Sequence, residues 1–280
     1  MELVLKSSTI LFVALCAVRL LRRQSAATRH LVLTVGLISS LTVPFLGSVL
    51  PKWHVGAAGV YGKWVLTPLA EQDGGNSDGI SFRGRGQTPF FVNPAPLRQP
   101  VPLPLVTVTG IWVVGAGMAG LILAAGGARI RWLTLRSKPL AGIKWESIST
   151  EVAHRLNLKR QVRLLRNNRG VLGTWGLLRP RILLPADAET WPDARLRVVL
   201  THELAHIKRF DWPVQILAEC ARAIYWFNPL FWIACRRLRS ESEHACDDVV
   251  LNAGFEAKEY AAQLLDLART LKSSDRKSVV

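Results

Sequence analysis

Residues 202–206 read His-Glu-Leu-Ala-His. On a helix, positions i and i+4 project from one face. His202 and His206 can therefore both offer ring nitrogens to one zinc ion. Glu203 is turned from His202 by one residue step, roughly 100° at 3.6 residues per turn. It stands beside the metal rather than on it, placed to take a proton from a polarised water and pass it to a leaving amine. The bland alternative is two surface histidines on an amphipathic helix. The chain has only six His, so this spacing around a glutamate favours the metal. A catalytic zinc needs a third protein ligand and one open position. Downstream, Glu241, Glu243, His244, Asp247 and Asp248 cluster in a segment that should be helical. Glu243 and Asp247 are four apart and share a face. One can ligate zinc while the other holds a ligand histidine in its tautomer.

The helices that must carry these residues have recognisable ends. Thr190 and Asp193 have capping-box spacing, with Asp in place of Glu, and Pro192 falls in the first turn. That helix should run to about Arg209. Asp211 and Pro213 open a second helix, and Pro229 interrupts or restarts it before a helical segment through Asp248. Upstream, Trp145, Ile148, Val152 and Leu156 give residues 145–157 helical spacing. Segments 161–165 and 181–184 are short strand candidates, with Gly170, Gly173, Gly176 and Pro180 marking turns. An edge strand at 181–184 would accept a substrate backbone by strand addition. His30, His54 and His154 stand alone and carry no expected role.

The N-terminal part has a different character. Hydrophobic residues make up 49% of the chain, and the mean hydropathy is +0.20. This is too apolar for an ordinary soluble domain and too polar for a pure transporter. Runs 3–21, 31–50 and 105–128 are apolar and long enough to cross a bilayer, the last two without a charge. Between them, 51–104 is a Gly- and Pro-rich loop. The stretch 19–30 holds four arginines and no acid, and 129–170 holds eleven Lys or Arg against two acids. The loop 51–104 holds five basic and three acidic residues. Positive charge marks the cytoplasmic side, so 51–104 is expected outside and the His-Glu-Leu-Ala-His segment inside. This bias explains much of the net charge of +16, and no direct nucleic-acid binding is expected. Four cysteines without a Cys-x-x-Cys pair exclude a cysteine-rich zinc site and argue against a disulfide framework. Gly115-Ala116-Gly117-Met118-Ala119-Gly120 matches a dinucleotide fingerprint but sits inside an apolar run, where small residues serve helix packing.

Several segments together resemble one family. Thr201-His202-Glu203-Leu204-Ala205-His206, then Arg209 and Asp211, Tyr225-Trp226-Phe227-Asn228-Pro229-Leu230-Phe231-Trp232 and Glu243-His244-Ala245-Cys246-Asp247 look like the BlaR/MecR-type membrane metallopeptidases. Leu178 to Pro185 looks like the strand that precedes the metal helix there. The resemblance covers the whole layout and is most specific over 176–251. It implies a gluzincin fold, with His202, His206 and Glu243 on zinc, Glu203 as base and Asp247 orienting His202. It also implies cleavage of a cytoplasmic repressor that relieves transcriptional repression. Two features depart from the pattern. The sensor branch carries a fourth span and an extracellular penicillin-binding domain, absent from this sequence, and Ser242 stands where a basic residue is usual. The final Asp275 to Val280 reads like translated adapter DNA, so a C-terminally truncated chain is expected.

The expected architecture is a mainly α membrane protein: three N-terminal transmembrane helices followed by an α+β gluzincin-like zinc peptidase domain. Residues 1–134 would form the membrane domain and 135–280 the cytoplasmic metallopeptidase domain. The expected function is a zinc endopeptidase in the bacterial inner membrane, with Zn2+ as cofactor, a repressor protein as substrate and the lipid bilayer as its surroundings. A non-hydrolytic signalling scaffold and a quality-control membrane zinc protease are the rival expectations.

Overall fold

A computed structural model describes residues 2–49, 105–140 and 142–277. The expected loop 51–104 and the last three residues lie outside the described residues. Helices α1 (Glu2–Leu20) and α2 (Ala26–Val49) form a hairpin, joined by a short 3-10 turn at Leu21–Arg23. Helix α3 (Leu105–Arg136) follows, then α4 (Ile143–Arg155), α5 (Asp193–Arg209), α6 (Asp211–Ile224), α7 (Pro229–Asn252) and α8 (Ala257–Lys277). Strands β1 (Lys138–Pro139), β2 (Arg163–Asn167), β3 (Gly173–Trp175) and β4 (Arg181–Pro185) form a mixed sheet in the order β1-β2-β4-β3. The β2–β4 pair is parallel and the outer pairs are antiparallel.

Among the described residues, two helices are long and apolar enough to cross a membrane, over Val4–Arg23 and Val106–Arg136. This corrects the expectation of three spans. Helix α2 covers the second run, and part of its described surface packs against protein while Leu31, Val35 and Ile38 stay exposed. Leu33 and Leu37 are buried against protein, and at its start a half-buried Arg29 and a buried His30 lie among charged partners. Most described residues of α3 up to Arg131 are exposed and none is buried.

The strand at 181–184 is not an edge. Leu183 pairs with Leu165 on one side and Gly173 on the other, and Ile182, Leu183 and Leu184 are fully buried. A continuous apolar run suits a strand covered on both faces. Among the described residues the sheet's edges are β1 and β3; β3, whose glycine and small size read as a turn in the sequence, is the edge on the side of β4. The capping box also fails. Pro192 is the N-cap of α5 and makes no side-chain cap, while Thr190 Oγ1 donates to the Asp187 carbonyl. Pro192 instead supplies a fixed φ and an extended lead-in.

Two cores hold the site helices. Leu196, Val199, Leu200, Leu204 and Ile207 of α5 pack with Trp145, Ile148 and Val152 of α4 and with Ile182 and Leu184 of β4. Each fully buried leucine contributes ~2 kcal/mol of transfer free energy. The second core joins Leu11 and Val18 of α1 and Leu33 and Leu37 of α2 to Ala218 and Ala221 of α6 and Phe231, Ala234 and Leu238 of α7. Tyr225 stacks on Phe231 with ring centroids 4.3 Å apart, so part of the aromatic run is packing. Gly115 of α3 lies under the Trp226 indole; a Cβ there would come within 2.2 Å of that ring. Among the described residues, a Cβ at Gly117 or Gly120 would meet nothing within 4 Å, so of the three only Gly115 shows close packing there.

Candidate metal centre

Helix α5 brings His202 and His206 side by side, off the leucine stripe that packs into the core. Their Nε2 atoms are 3.3 Å apart. Helix α7 crosses α5 and delivers Glu243, whose Oε2 lies 3.5 Å from His202 Nε2 and 3.8 Å from His206 Nε2. A tetrahedral zinc with bonds of ~2.05 Å holds its ligand atoms about 3.3 Å apart. The three atoms thus match the edges of one face of such a site in both chemistry and spacing. His202, His206 and Glu243 lie within 4.8 Å of one another by their ligand atoms.

Each histidine has its other nitrogen held. His202 Nδ1 lies 3.2 Å from Asp247 Oδ1 and 3.1 Å from the Tyr260 hydroxyl. The tyrosine donates to the same Asp247 oxygen at 2.6 Å. Asp247 follows Glu243 by one helical turn of α7, and Tyr260 comes from α8. His206 Nδ1 lies 2.9 Å from Asp211 Oδ2. With each Nδ1 donating to a carboxylate, the neutral rings turn both Nε2 lone pairs toward one cation.

Asp211 reaches His206 because of a sharp junction. Phe210 ends α5 in the left-handed region at φ 60°, and α6 begins at the next residue. The chain turns back, placing the Asp211 carboxylate in the first turn of α6, where a negative charge is favoured. Arg209 Nε contacts the same oxygen at 3.3 Å. Burial opposes ionisation of Asp211, but the hydrogen bond from His206 and the Arg209 charge hold its pKa below the ordinary carboxylate value.

His206, Asp211 and Cys246 form a second group of metal-ligating atoms within reach of one another. Chemistry favours the first group. Burial, with the Asp211 charge, pushes the Cys246 thiol well above its ordinary value, and a protonated thiol is a poor ligand. Cys246 Sγ instead donates to Asp211 at 3.5 Å. The charge balance of His202 points the same way. Burial works against its cation, yet Asp247, Glu243 and Glu203 outweigh it and raise the pKa to about 10. The cluster thus stabilises positive charge at this spot. Glu243 is held below its ordinary value, first by the His202 hydrogen bond.

Glu203 is buried at 6% exposure. Its Oε2 accepts from Thr174 Oγ1 at 2.5 Å. Thr174 sits on β3, so this edge strand and the glutamate are joined directly. A cleft of about 300 Å³ runs over these groups and is also bordered by His30, Trp212, Gln215 and Arg239.

Sequence reasoning named His202, Glu203, His206, Glu243 and Asp247, and the fold brings all five together. Residue spacing assigns no site role to Thr174, Tyr260 or Asp211, although Asp211 opens a helix and lies in the family pattern. It dismissed His30, which lines the cleft with Nε2 3.8 Å from Asp211 Oδ1. Next to it, Arg29 Nε donates to Glu241 Oε2 at 2.7 Å. Glu241 is fully buried and also 2.9 Å from Arg237 Nε. The start of α2 thus braces α7 two residues before Glu243. An arginine repeated every few residues near a helix start carries no signal of which one turns inward.

A family model described as BlaR1 peptidase M56 matches residues 2–279. The Regulatory protein BlaR1 of Bacillus licheniformis is 38% identical over 78 residues, 28% of this chain and 13% of that protein. The Methicillin resistance mecR1 proteins of Staphylococcus aureus strain Mu50 and Staphylococcus epidermidis are each 33% identical over 78 residues, with the same coverage. These alignments cover far less than the relatives' full length. The family model, by contrast, takes in nearly the whole chain and both helices of the metal cluster, and on that ground the chain belongs to the BlaR1 peptidase M56 family.

Proposed function

We propose that this peptidase is a membrane-anchored zinc endopeptidase of the bacterial inner membrane. It hydrolyses a peptide bond in a cytoplasmic regulatory protein, a transcriptional repressor, as a step in signal transduction. Residues 1–134 serve as its multi-pass membrane part and 135–280 as its peptidase part, with the site facing the cytoplasm. The observation that carries the reading is the convergence of two imidazole nitrogens and one carboxylate oxygen within 4.8 Å, beside the buried Glu203. Zn2+ held by His202, His206 and Glu243 supplies Lewis acidity for the scissile carbonyl and the attacking water.

The chain's own residues do the rest. Glu203 takes the proton from the attacking water and returns it to the leaving nitrogen. Thr174 fixes the carboxylate that moves it. Asp247 and Asp211 keep the ligand imidazoles in one tautomer. The outer edge of β3, unpaired among the described residues, lies beside Glu203 and offers backbone donors and acceptors to an extended substrate. The names of the relatives, a regulatory protein and methicillin resistance proteins, support a regulatory substrate.

Glu203→Gln tests the reading. It should leave about one zinc per detergent-purified chain and abolish cleavage, whereas Glu243→Ala should lose the zinc. A biological output that survives Glu203→Gln would instead favour a non-hydrolytic scaffold. Cleavage of many misfolded membrane proteins rather than one partner would favour a quality-control protease. A folded parent without zinc would sink the metallopeptidase reading.

A further inference from the structure

We infer that the foot of α3 carries a binding site for the headgroup of an anionic phospholipid, formed by Trp132, Arg136, Lys138 and Arg169. These residues line a cavity of about 270 Å³ between the last turns of α3, β1 and the turn after β2. The Arg136 guanidinium lies 4.3 Å from the centre of the Trp132 ring and that of Arg169 lies 4.4 Å from it. Stacking occupies the flat face of a guanidinium and leaves its in-plane N–H groups free for phosphate oxygens. Lys138 adds a third positive charge. Among the described residues none of these three cations has an ion-pair partner, whereas neighbouring Arg166 is matched by Glu189 at 2.6 Å. Like charges gathered around one indole repel each other, and an anion between them removes that cost.

The position of Arg169 is built rather than accidental. Asn167 is buried at 5% exposure. Its Oδ1 accepts from the backbone N–H of Arg169 at 2.9 Å and of Val171 at 3.1 Å. Its Nδ2 donates to the Val171 and Leu184 carbonyls. Gly170 at φ 65° lets the chain double back there. The turn is thereby stapled to the sheet, and Arg169 is held against α3.

The ligand class follows from where the cavity lies. The last turns of α3 emerge from the uncharged run 105–128, at the level where a tryptophan prefers the headgroup layer. Exposed apolar residues above it, Leu121, Ile122 and Ile130, offer a surface for acyl chains. A basic pocket at the cytoplasmic end of a span suits phosphatidylglycerol or another anionic lipid. Nucleic acid would need a longer open stripe of charge than this concave site provides. The inference rests on reading α3 as a span and is independent of the zinc chemistry, so its failure leaves the peptidase reading standing.

The test is lipid binding to the full detergent-purified chain by native mass spectrometry. Phosphatidylglycerol is titrated against phosphatidylcholine with the same acyl chains, and inorganic phosphate is added as competitor. Phosphatidylglycerol should bind more tightly, and Arg136→Gln with Arg169→Gln should weaken it about 25-fold, from about fivefold per charge. Arg129→Gln with Arg131→Gln removes the same net charge outside the cavity and should leave binding near that of the parent. Unchanged circular dichroism keeps the comparison valid, since all four arginines are exposed. Equal binding of the two lipids, or equal weakening by both double variants, would overturn the site. Competition by millimolar phosphate as effective as that by lipid would assign the cavity to a free anion instead.

Discussion

His202 and His206 come from one motif and one helix face, yet what stands behind them differs. Behind His206 lies Asp211, 7% exposed in its side chain, enclosed by Arg209, Cys246 and His30. Behind His202 lies Asp247, 33% exposed, reinforced by Tyr260 from the following helix. One imidazole is held by a sealed ionic cluster next to the α1–α2 hairpin. The other is held by a half-open pair at the surface of α8. A carboxylate in the sealed cluster cannot be replaced by water, whereas one at the surface can be, in part. The two sides should therefore respond unequally to the same kind of damage.

The largest effect is expected for Asp211→Ala. It frees the His206 ring and leaves Arg209 with a half-buried charge that has lost its carboxylate. Zinc affinity by chelator competition should fall about 100-fold, with ~3 kcal/mol lost from the fold. A thermal unfolding temperature and zinc affinity equal to the parent's would erase the contrast between the two sides.

Next is the pH dependence on the His202 side. Its folded pKa of about 10 lies above the ordinary 6.5. In the metal-free protein, its protonation therefore stabilises the fold fully below pH 6.5, and this contribution is lost as pH rises toward about 10. Zinc requires the neutral ring, so zinc affinity should rise with pH by up to about tenfold per unit within that window. Calorimetry in two buffers at pH 8 should show a proton released on zinc uptake. No release would mean that His202 is already neutral.

A smaller effect is expected for Asp247→Ala. The loss of orientation costs about tenfold in zinc affinity, partly offset because the proton on His202 then competes less well. The offset should disappear at pH 10, and the deficit relative to the parent should widen between pH 7 and 10. A deficit that narrowed instead would show that Asp247 acts only through charge. Tyr260→Phe should be mildest, about threefold in zinc affinity, since it removes one neutral hydroxyl and leaves the carboxylate in place. An effect as large as that of Asp247→Ala would make α8 an equal partner in holding the site.

These differences mirror what could be read along the chain. Asp247 was legible because it follows Glu243 by four residues, and helical periodicity converts that spacing into a shared face. Asp211 lies five residues after His206, a distance that on a continuous helix would point it elsewhere. Its role depends on Phe210 adopting a left-handed conformation, which sequence propensity reserves for glycine and asparagine. Tyr260 lies in a helix whose packing onto Val198 and Val250 is a tertiary event. Thr174 was hidden inside a segment whose glycines read as turns, and the edge strand was placed at 181–184 because an apolar run marks a strand without saying on which side it is paired.

By itself the sequence determined the local items: the His-Glu-Leu-Ala-His face, the Glu243–Asp247 face, the apolar runs, and the ends of α5, α6 and α7 to within a few residues. Each follows from a period of 3.6 or from a residue that breaks it. The tertiary structure decided which faces meet. The crossing of α5 and α7 closes the three-atom set, the αL turn at Phe210 brings Asp211 to His206, and the α1–α2 hairpin sets Arg29 and His30 against the same centre. Sheet order put β3 at an edge and β4 inside. These are matters of chain direction after a turn and of packing between distant segments, and no pattern of nearest neighbours encodes them.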